Sequence, residues 1–394
     1  VGTPERRLNG GEVGATTEGS RWGATRPGGL LPALAGWLAA RAAVATGVVV
    51  AHGLSDHVGM PDGRLHLDQG LLTWDGTYYR VLAEGWYAGA ATPGDATRFF
   101  PAYPALARVL DPLLPGGADV ALLLLANLCA LAAAVVLWQL VHDVLDDERL
   151  ARRSAWMVAV IPAANVFVFA YSEAAMLLVF TAALLALHRR HLGWLCVLGL
   201  LAGLLRPAGV LLVVPVVVAA WQRRSEDPPP QRREVLGWLA SATAPLIGLA
   251  VALGWIAASA GVGWGEPFER QRQLRDGFHE PISRVGEAVI DVFSGRQHDV
   301  YNLAFAIGFA ALFVVALRRR QPLPWLAFMV VTWVVAVGGT NMDSTGRYCV
   351  VAAPFAIALA QWAQHRWQQV AVGVLGLAGT AWFTAEVMLG RIIP

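Results

Sequence analysis

The residues able to do chemistry are few and widely separated. Asp75 stands in Trp74-Asp75-Gly76, framed by Trp74, Tyr78 and Tyr79; Arg98 and a second aromatic and proline cluster, Phe99-Phe100-Pro101-Ala102-Tyr103-Pro104, follow it. Glu173, Arg206 and the pair Arg347-Tyr348 lie inside or at the edge of long apolar runs. A carboxylate can act as general base toward a hydroxyl. Guanidinium groups can hold a departing phosphate by charge-assisted bonds, and aromatic faces can pack against a sugar ring or a polyprenyl chain. These parts suit glycosyl transfer from a lipid-linked sugar phosphate, with Asp75 as catalytic residue. Trp74, Tyr78, Tyr79, Arg98, Phe100, Tyr103, Glu173, Arg206, Arg347 and Tyr348 are the expected substrate contacts. There is no P-loop or GxGxxG context and no metal-ligand spacing such as HExxH. The expectation is therefore no metal and no cofactor beyond the lipid-linked donor itself.

Each residue also has an ordinary reading. Asp75 could cap a helix, because Asp is a favoured N-cap and Asp-Gly suits a turn. Glu173 could be a solvated turn residue, and Arg347-Tyr348 an interface anchor pair. Arg206, inside an apolar stretch, costs roughly 3 kcal/mol on insertion scales unless paired or able to reach the interface, and snorkelling would relieve it. Arg41 faces the same cost with no motif around it and reads as a packing or snorkelling residue. The nine histidines, His52, His57 and His66 among them, are assigned no role.

Such residues need a scaffold, and the composition says which. At 394 residues, 56% hydrophobic and 15% charged, the chain falls well short of the quarter charged typical of soluble domains. It reads as an all-α, polytopic membrane protein. The net charge of +2 is too small to argue for nucleic acid, and the basic residues, all of them arginine, are scattered over short loops. Cys129, Cys196 and Cys349 fall within apolar runs, where they behave as small hydrophobes, so neither a disulfide framework nor a zinc site is expected.

A crossing takes roughly 20 mostly apolar residues. The runs are Leu30 to Leu54, Asp119 to Val141, Ser154 to Leu187 split at Tyr171-Ser172-Glu173, Leu192 to Trp221 interrupted at Arg206-Pro207, Val235 to Ala258, Tyr301 to Leu317, Trp325 to Gly339, Cys349 to Trp362 and Val370 to Met388. With both splits this gives about eleven spans. Residues 1–29 read as a disordered cytoplasmic tail, with no early apolar core of the kind a cleaved signal peptide needs. Residues 30–394 form a single transmembrane domain with large loops at 55–117 and 259–300. The short arginine-dense segments (Arg149 to Arg153, His188 to His191, Gln222 to Arg233, Arg318 to Arg320) face the cytoplasm. Asp75, Glu173, Arg206 and Arg347 then share the extracytoplasmic side of a plasma membrane. The second loop, with Trp264, Arg270, Arg272, Arg275 and Arg284, reads first as an amphipathic interface helix and second as a contact for an anionic head or acceptor.

At several of these positions the chain resembles a family. Trp74-Asp75-Gly76-Thr77-Tyr78-Tyr79, Ala83-Glu84-Gly85-Trp86-Tyr87 and Phe99 to Pro104 with Arg108 are similar to the first luminal loop of the PIG-V-type mannosyltransferases, the second mannosyltransferases of GPI-anchor synthesis and their bacterial relatives. Tyr171-Ser172-Glu173, the Gly203 to Gly209 stretch and Ser344-Thr345-Gly346-Arg347-Tyr348 extend the resemblance from about Leu30 to Gln361. It implies a GT-C type enzyme that takes mannose from a polyprenyl-phosphate carrier and inverts the anomeric centre, with Asp75 as base or acceptor-positioning residue. Tyr78 stands where the family often has His, so no acid or base role carries over there. A GPI acceptor does not follow; a lipid or glycan acceptor, the polyprenyl-phosphate-sugar donor and membrane lipids are the expected partners. A transporter or lipid flippase is the competing class, and it would place ionisable groups and broken helices at the bilayer midplane in two related halves. A non-catalytic scaffold is the third.

Overall fold

The computed structural model of the protein describes residues 27–89, 93–275, 277–294, 300–339 and 342–393. The expected disordered tail lies outside them up to position 26; Pro27–Gly29 form a 3-10 turn that runs into the first helix. Among the described residues all regular structure is helical, apart from one antiparallel bridge between Phe278 and Gly339.

In chain order, α1 (Leu30–Leu54) is followed in the first loop by α2 (Leu65–Gln69), α3 (Asp75–Gly85) and α4 (Ala102–Leu110), and then by α5 (Gly117–Leu145). Next come α6 (Glu148–Met157), α7 (Glu173–His188), α8 (Leu192–Leu205), α9 (Val213–Arg224) and α10 (Arg232–Ala260). The second loop holds α11 (Glu266–Arg275) and α12 (Pro281–Phe293). The chain finishes with α13 (Val300–Arg318), α14 (Leu323–Val337), α15 (Thr345–Val350), α16 (Ala353–Trp362) and α17 (Arg366–Met388). Five of these, α1, α5, α10, α13 and α17, are long and apolar enough to cross a membrane by length and composition. Four more, α7, α8, α14 and α16, are equally apolar but shorter.

The two interrupted runs behave differently. Arg206-Pro207 ends α8 as expected, because proline disfavours helix at the residue before it and lacks the amide proton the helix would use; a 3-10 stretch, Pro207–Leu212, leads into α9. The run from Ser154 does not give two helices meeting at Tyr171. It is helical only to Met157, and residues 158–172 carry turns and a 3-10 stretch, Pro162–Phe167, in which nearly every residue is buried. Non-helical backbone in an apolar bundle is tolerated where protein groups satisfy it. Arg41 supplies one such group: Nη2 donates to Phe167 O at 3.2 Å and Nε to Asn127 Oδ1 at 2.8 Å, while Asn127 Nδ2 donates to Val168 O at 3.2 Å. Arg41 therefore does not snorkel; it ties α1 and α5 to the broken segment.

Small residues let the helices that carry the site approach closely. A Cβ on Gly203 in α8 would sit 2.2 Å from Pro245 O in α10, and one on Gly248 would sit 2.2 Å from Leu200 O. A Cβ on Gly209 would lie 2.0 Å from Ala202 O, so the chain can turn back on α8 directly after Arg206 only with glycine there.

The arginine-dense segments gather at one end of the bundle. Arg189 pairs with Asp143, Arg190 with Glu226 and Arg223 with Glu234, and Arg153 Nη1 donates to Ala363 O at 2.9 Å. The starts of α3, α7 and α15 and the end of α8 meet at the other.

Candidate active site

Four charged side chains from four distant segments form one chain of ion pairs. Arg347, in α15, donates from Nη2 to Asp75 Oδ2 and from Nε to Glu173 Oε1; the same Glu173 oxygen accepts from Arg206 Nη1. Each is held by an element boundary. Asp75 and Glu173 are the first residues of α3 and α7, Arg206 follows the last residue of α8, and Arg347 lies in a helix that begins after Ser344, whose φ is +66°. The charges balance two against two. Burial grades along the chain of pairs: the side chains of Glu173 and Arg347 are 2% and 5% exposed, those of Arg206 and Asp75 16% and 25%. The inner pair is shut away, and the two ends reach the surface.

This arrangement decides the ordinary readings. Asp75 does not cap α3: Trp74 occupies the N-cap position with no capping bond from its side chain, and the Asp75 carboxylate turns to Arg347. Glu173 is no solvated turn residue, and Arg206 is paired rather than snorkelling. Burial alone would raise the Asp75 carboxyl, but the charge and hydrogen bond of Arg347, helped by Arg206 and Arg98, hold it below the usual carboxylate value. Asp75 is ionised at neutral pH.

Aromatic rings line this cluster. Arg347 lies 4.9 Å over the Tyr171 ring and Arg206 5.7 Å from that of Tyr348. Tyr78 stacks on Phe99 at 4.6 Å with the Arg98 guanidinium 5.7 Å from its ring, forming a ledge on which Tyr78 and Arg98 are partly exposed and Phe99 is buried. Three expected contacts stand one layer further in. Phe100 and Tyr103 are fully buried, Tyr103 giving its hydroxyl to Leu122 O at 2.7 Å, and buried Tyr79 bonds Ser172 Oγ at 2.7 Å. These rings pack the ledge from behind because the loop between α1 and α5 must bury apolar area to lie down on the bundle. Trp74 packs its indole on His66 rather than on the Asp75 side.

Two residues outside the expected substrate contacts also belong to the site. Ser172 links Tyr79 to Arg206, whose Nη1 donates to it at 3.2 Å, and Tyr171 lies under Arg347 while giving its hydroxyl to Thr73 O at 3.0 Å. Both sit in the Tyr-Ser-Glu triplet, which was the signal for them. In the second loop, α12 shows Ile282, Ile290 and Phe293 on an exposed face, as an interface helix would, and Arg270 of α11 is engaged by Glu266 at 2.7 Å. The Arg275 side chain lies outside what is described. No metal-competent group of three or more His, Cys, Asp or Glu occurs among the described residues.

No protein-family model matches the chain, and no curated protein does. Among solved structures it is similar to the oligosaccharyltransferase of Archaeoglobus fulgidus, crystallised tethered to an acceptor peptide containing the NVT sequon. The likeness has a TM-score of 0.43 and 13% identity, covering 89% of this chain and 56% of that one, so the chain spans little more than half of that protein's length.

Proposed function

We propose that the chain is an integral-membrane glycosyltransferase of the GT-C type, moving mannose from a polyprenyl-phosphate donor to a hydroxyl of a lipid or glycan acceptor at the extracytoplasmic face. The observation that carries this reading is the Asp75–Arg347–Glu173–Arg206 chain of ion pairs, closed at its centre and open at both ends. A polyprenyl-phosphate sugar is a phosphodiester with one negative charge; Arg206 is the cation at an exposed end of the chain, and Arg347, closed off at rest, meets the phosphate as Asp75 gives it up. At rest their charge is met by the two carboxylates. When the phosphate takes over Arg347, Asp75 loses the partner that depresses its pKa and becomes a stronger base.

Asp75 then removes the proton of the acceptor hydroxyl as that oxygen attacks the anomeric carbon. The bond from that carbon to the phosphate oxygen breaks, and the leaving phosphate keeps the electron pair under the guanidinium groups. One displacement inverts the centre. The partly exposed members of the ledge, Tyr78 and Arg98, offer a face for the sugar or for the first isoprene units.

Membranes carrying the wild type or Asp75→Asn, supplied with labelled polyprenyl-phosphate mannose, test the reading. Removal of a general base should lower transfer about 10²–10⁴-fold at unchanged protein level. Wild-type turnover by Asp75→Asn would take Asp75 out of the chemistry.

A further inference from the structure

Trp74 has φ +57° and ψ −119°, a backbone conformation that a bulky side chain rarely adopts, and it directly precedes Asp75. Such a strained residue persists where its surroundings over-determine it. The surroundings here are a buried histidine and the end of the last helix. The His66 ring stacks on the Trp74 indole with centroids 4.2 Å apart and planes 9° from parallel, and indole Nε1 donates to Val387 O at 3.2 Å. His66 is itself fixed at three points. Its Nδ1 bonds Thr73 Oγ1 at 2.7 Å, its Nε2 faces Asp62 Oδ2 at 3.1 Å, and Gly390 backs the ring so closely that a Cβ there would meet His66 Cδ2 at 2.8 Å. Thr73 is gripped again through its carbonyl by Tyr171, the residue under Arg347.

We infer that His66 is a positioning residue: by bonding Thr73 and stacking on Trp74 it holds the left-handed backbone at Trp74 and so aims the Asp75 carboxylate at Arg347. No step of the proposed chemistry uses His66, and it touches none of the four charged groups. The kinetic consequence rests on the proposed role of Asp75; the structural one does not. Asp75 must share Arg347 with an arriving phosphate, so a base that swings freely at the end of a relaxed Thr73-Trp74 segment would meet the acceptor hydroxyl less often, with donor affinity little altered.

The experiment uses the full chain in nanodiscs, with His66→Ala and with His66→Phe, which keeps a stacking ring but neither polar bond. Hydrogen–deuterium exchange at amides 73–78 should accelerate about tenfold in His66→Ala, with α5 and α10 unchanged, and in the same segment to a smaller extent in His66→Phe. Exchange at wild-type rate there in the folded variants overturns the inference, whatever the activity. Kinetically, kcat should fall about tenfold, the equivalent of the strain no longer held, with donor KM within about twofold. Glycine takes a positive φ without strain, so His66→Ala combined with Trp74→Gly should be no slower than Trp74→Gly alone. Independent, multiplying losses would overturn the inference. If the wild type transfers no sugar, the proposed function fails, and the exchange measurement still decides the role of His66.

Discussion

At the end of the bundle where α3, α7 and α15 begin, two carboxylates and two guanidinium groups share three contacts among buried aromatic rings. At the other end, more of the pairs lie in the open: Arg190 and Glu226 are half exposed, as are Arg152 and Glu148, although Arg223, 11% exposed, meets both Glu226 and Glu234. The same residue types serve different purposes in the two places. An exposed pair in high dielectric is worth about 0–1 kcal/mol, so the arginines of the open end earn their place by charge and orientation rather than by stability. A buried, desolvated set gives little net stability as a whole, yet losing one member strands its partner at a cost of about 3–5 kcal/mol. The closed cluster is thus a costly feature, which is what a preorganised site looks like.

The sharpest way to break the contrast is Arg347→Leu, which leaves both Asp75 and Glu173 without their shared cation. Thermal unfolding in detergent should register a loss of about 3–5 kcal/mol, and transfer should vanish with it. An effect no larger than that of a surface substitution would mean that the cluster is not desolvated. The pH dependence follows from the depressed Asp75 carboxyl. A lowered folded-state pKa contributes stability that is fully present above the unfolded value and is lost as pH falls through the folded one. The wild type should therefore hold a flat stability profile around neutrality and lose this contribution only in acid, while Asp75→Asn should lack that acid-side loss.

A smaller effect is expected between the two ends. Arg41→Leu removes a donor from Phe167 O and from Asn127 Oδ1 in the non-helical segment. Buried acceptors left unmade cost about 1–3 kcal/mol, so the melting temperature should drop measurably, and Arg41→Gln, which still carries an amide donor, should recover part of it. If Arg41→Leu were neutral or stabilising, the arginine would be a passive resident of the apolar interior.

How far the sequence could take these conclusions depended on which forces were local. Long apolar runs and Arg206-Pro207 marked α1, α5, α10, α13, α17 and the break after α8, because hydropathy and the proline constraint act within a few residues. The segment after Met157 read as a helix because its composition is apolar. Its irregular backbone depends on Arg41 and Asn127, which lie far away in sequence. Asp75, Glu173, Arg206 and Arg347 were legible as charges out of place in apolar or aromatic surroundings; that they would bond one another, in this order, was not. Phe100 and Tyr103 looked like contact residues because an aromatic on the exposed face of a loop and one on its packed face are spelled alike. His66 carried no signal at all, since its role comes from a stack on Trp74 and a close approach by Gly390.

The smallest predicted effect tests the other half of the contrast. Arg190 bonds Glu226 at 2.6 Å, and both line a cavity of about 200 Å³ together with Leu184, Leu187 and Trp325, a setting that invites a structural role. Both side chains are about half exposed, however, and Glu226 also has Arg223 within 3.7 Å. Water and a second cation can therefore replace whatever Arg190 supplies. Arg190→Gln should shift stability by no more than about 0.5 kcal/mol, leave transfer at the distant Asp75 unchanged, and show any residual effect only at low ionic strength. A loss approaching that of Arg347→Leu would mean that the open end is as tightly built as the closed one, and the difference in exposure would no longer support placing the proposed chemistry at one end.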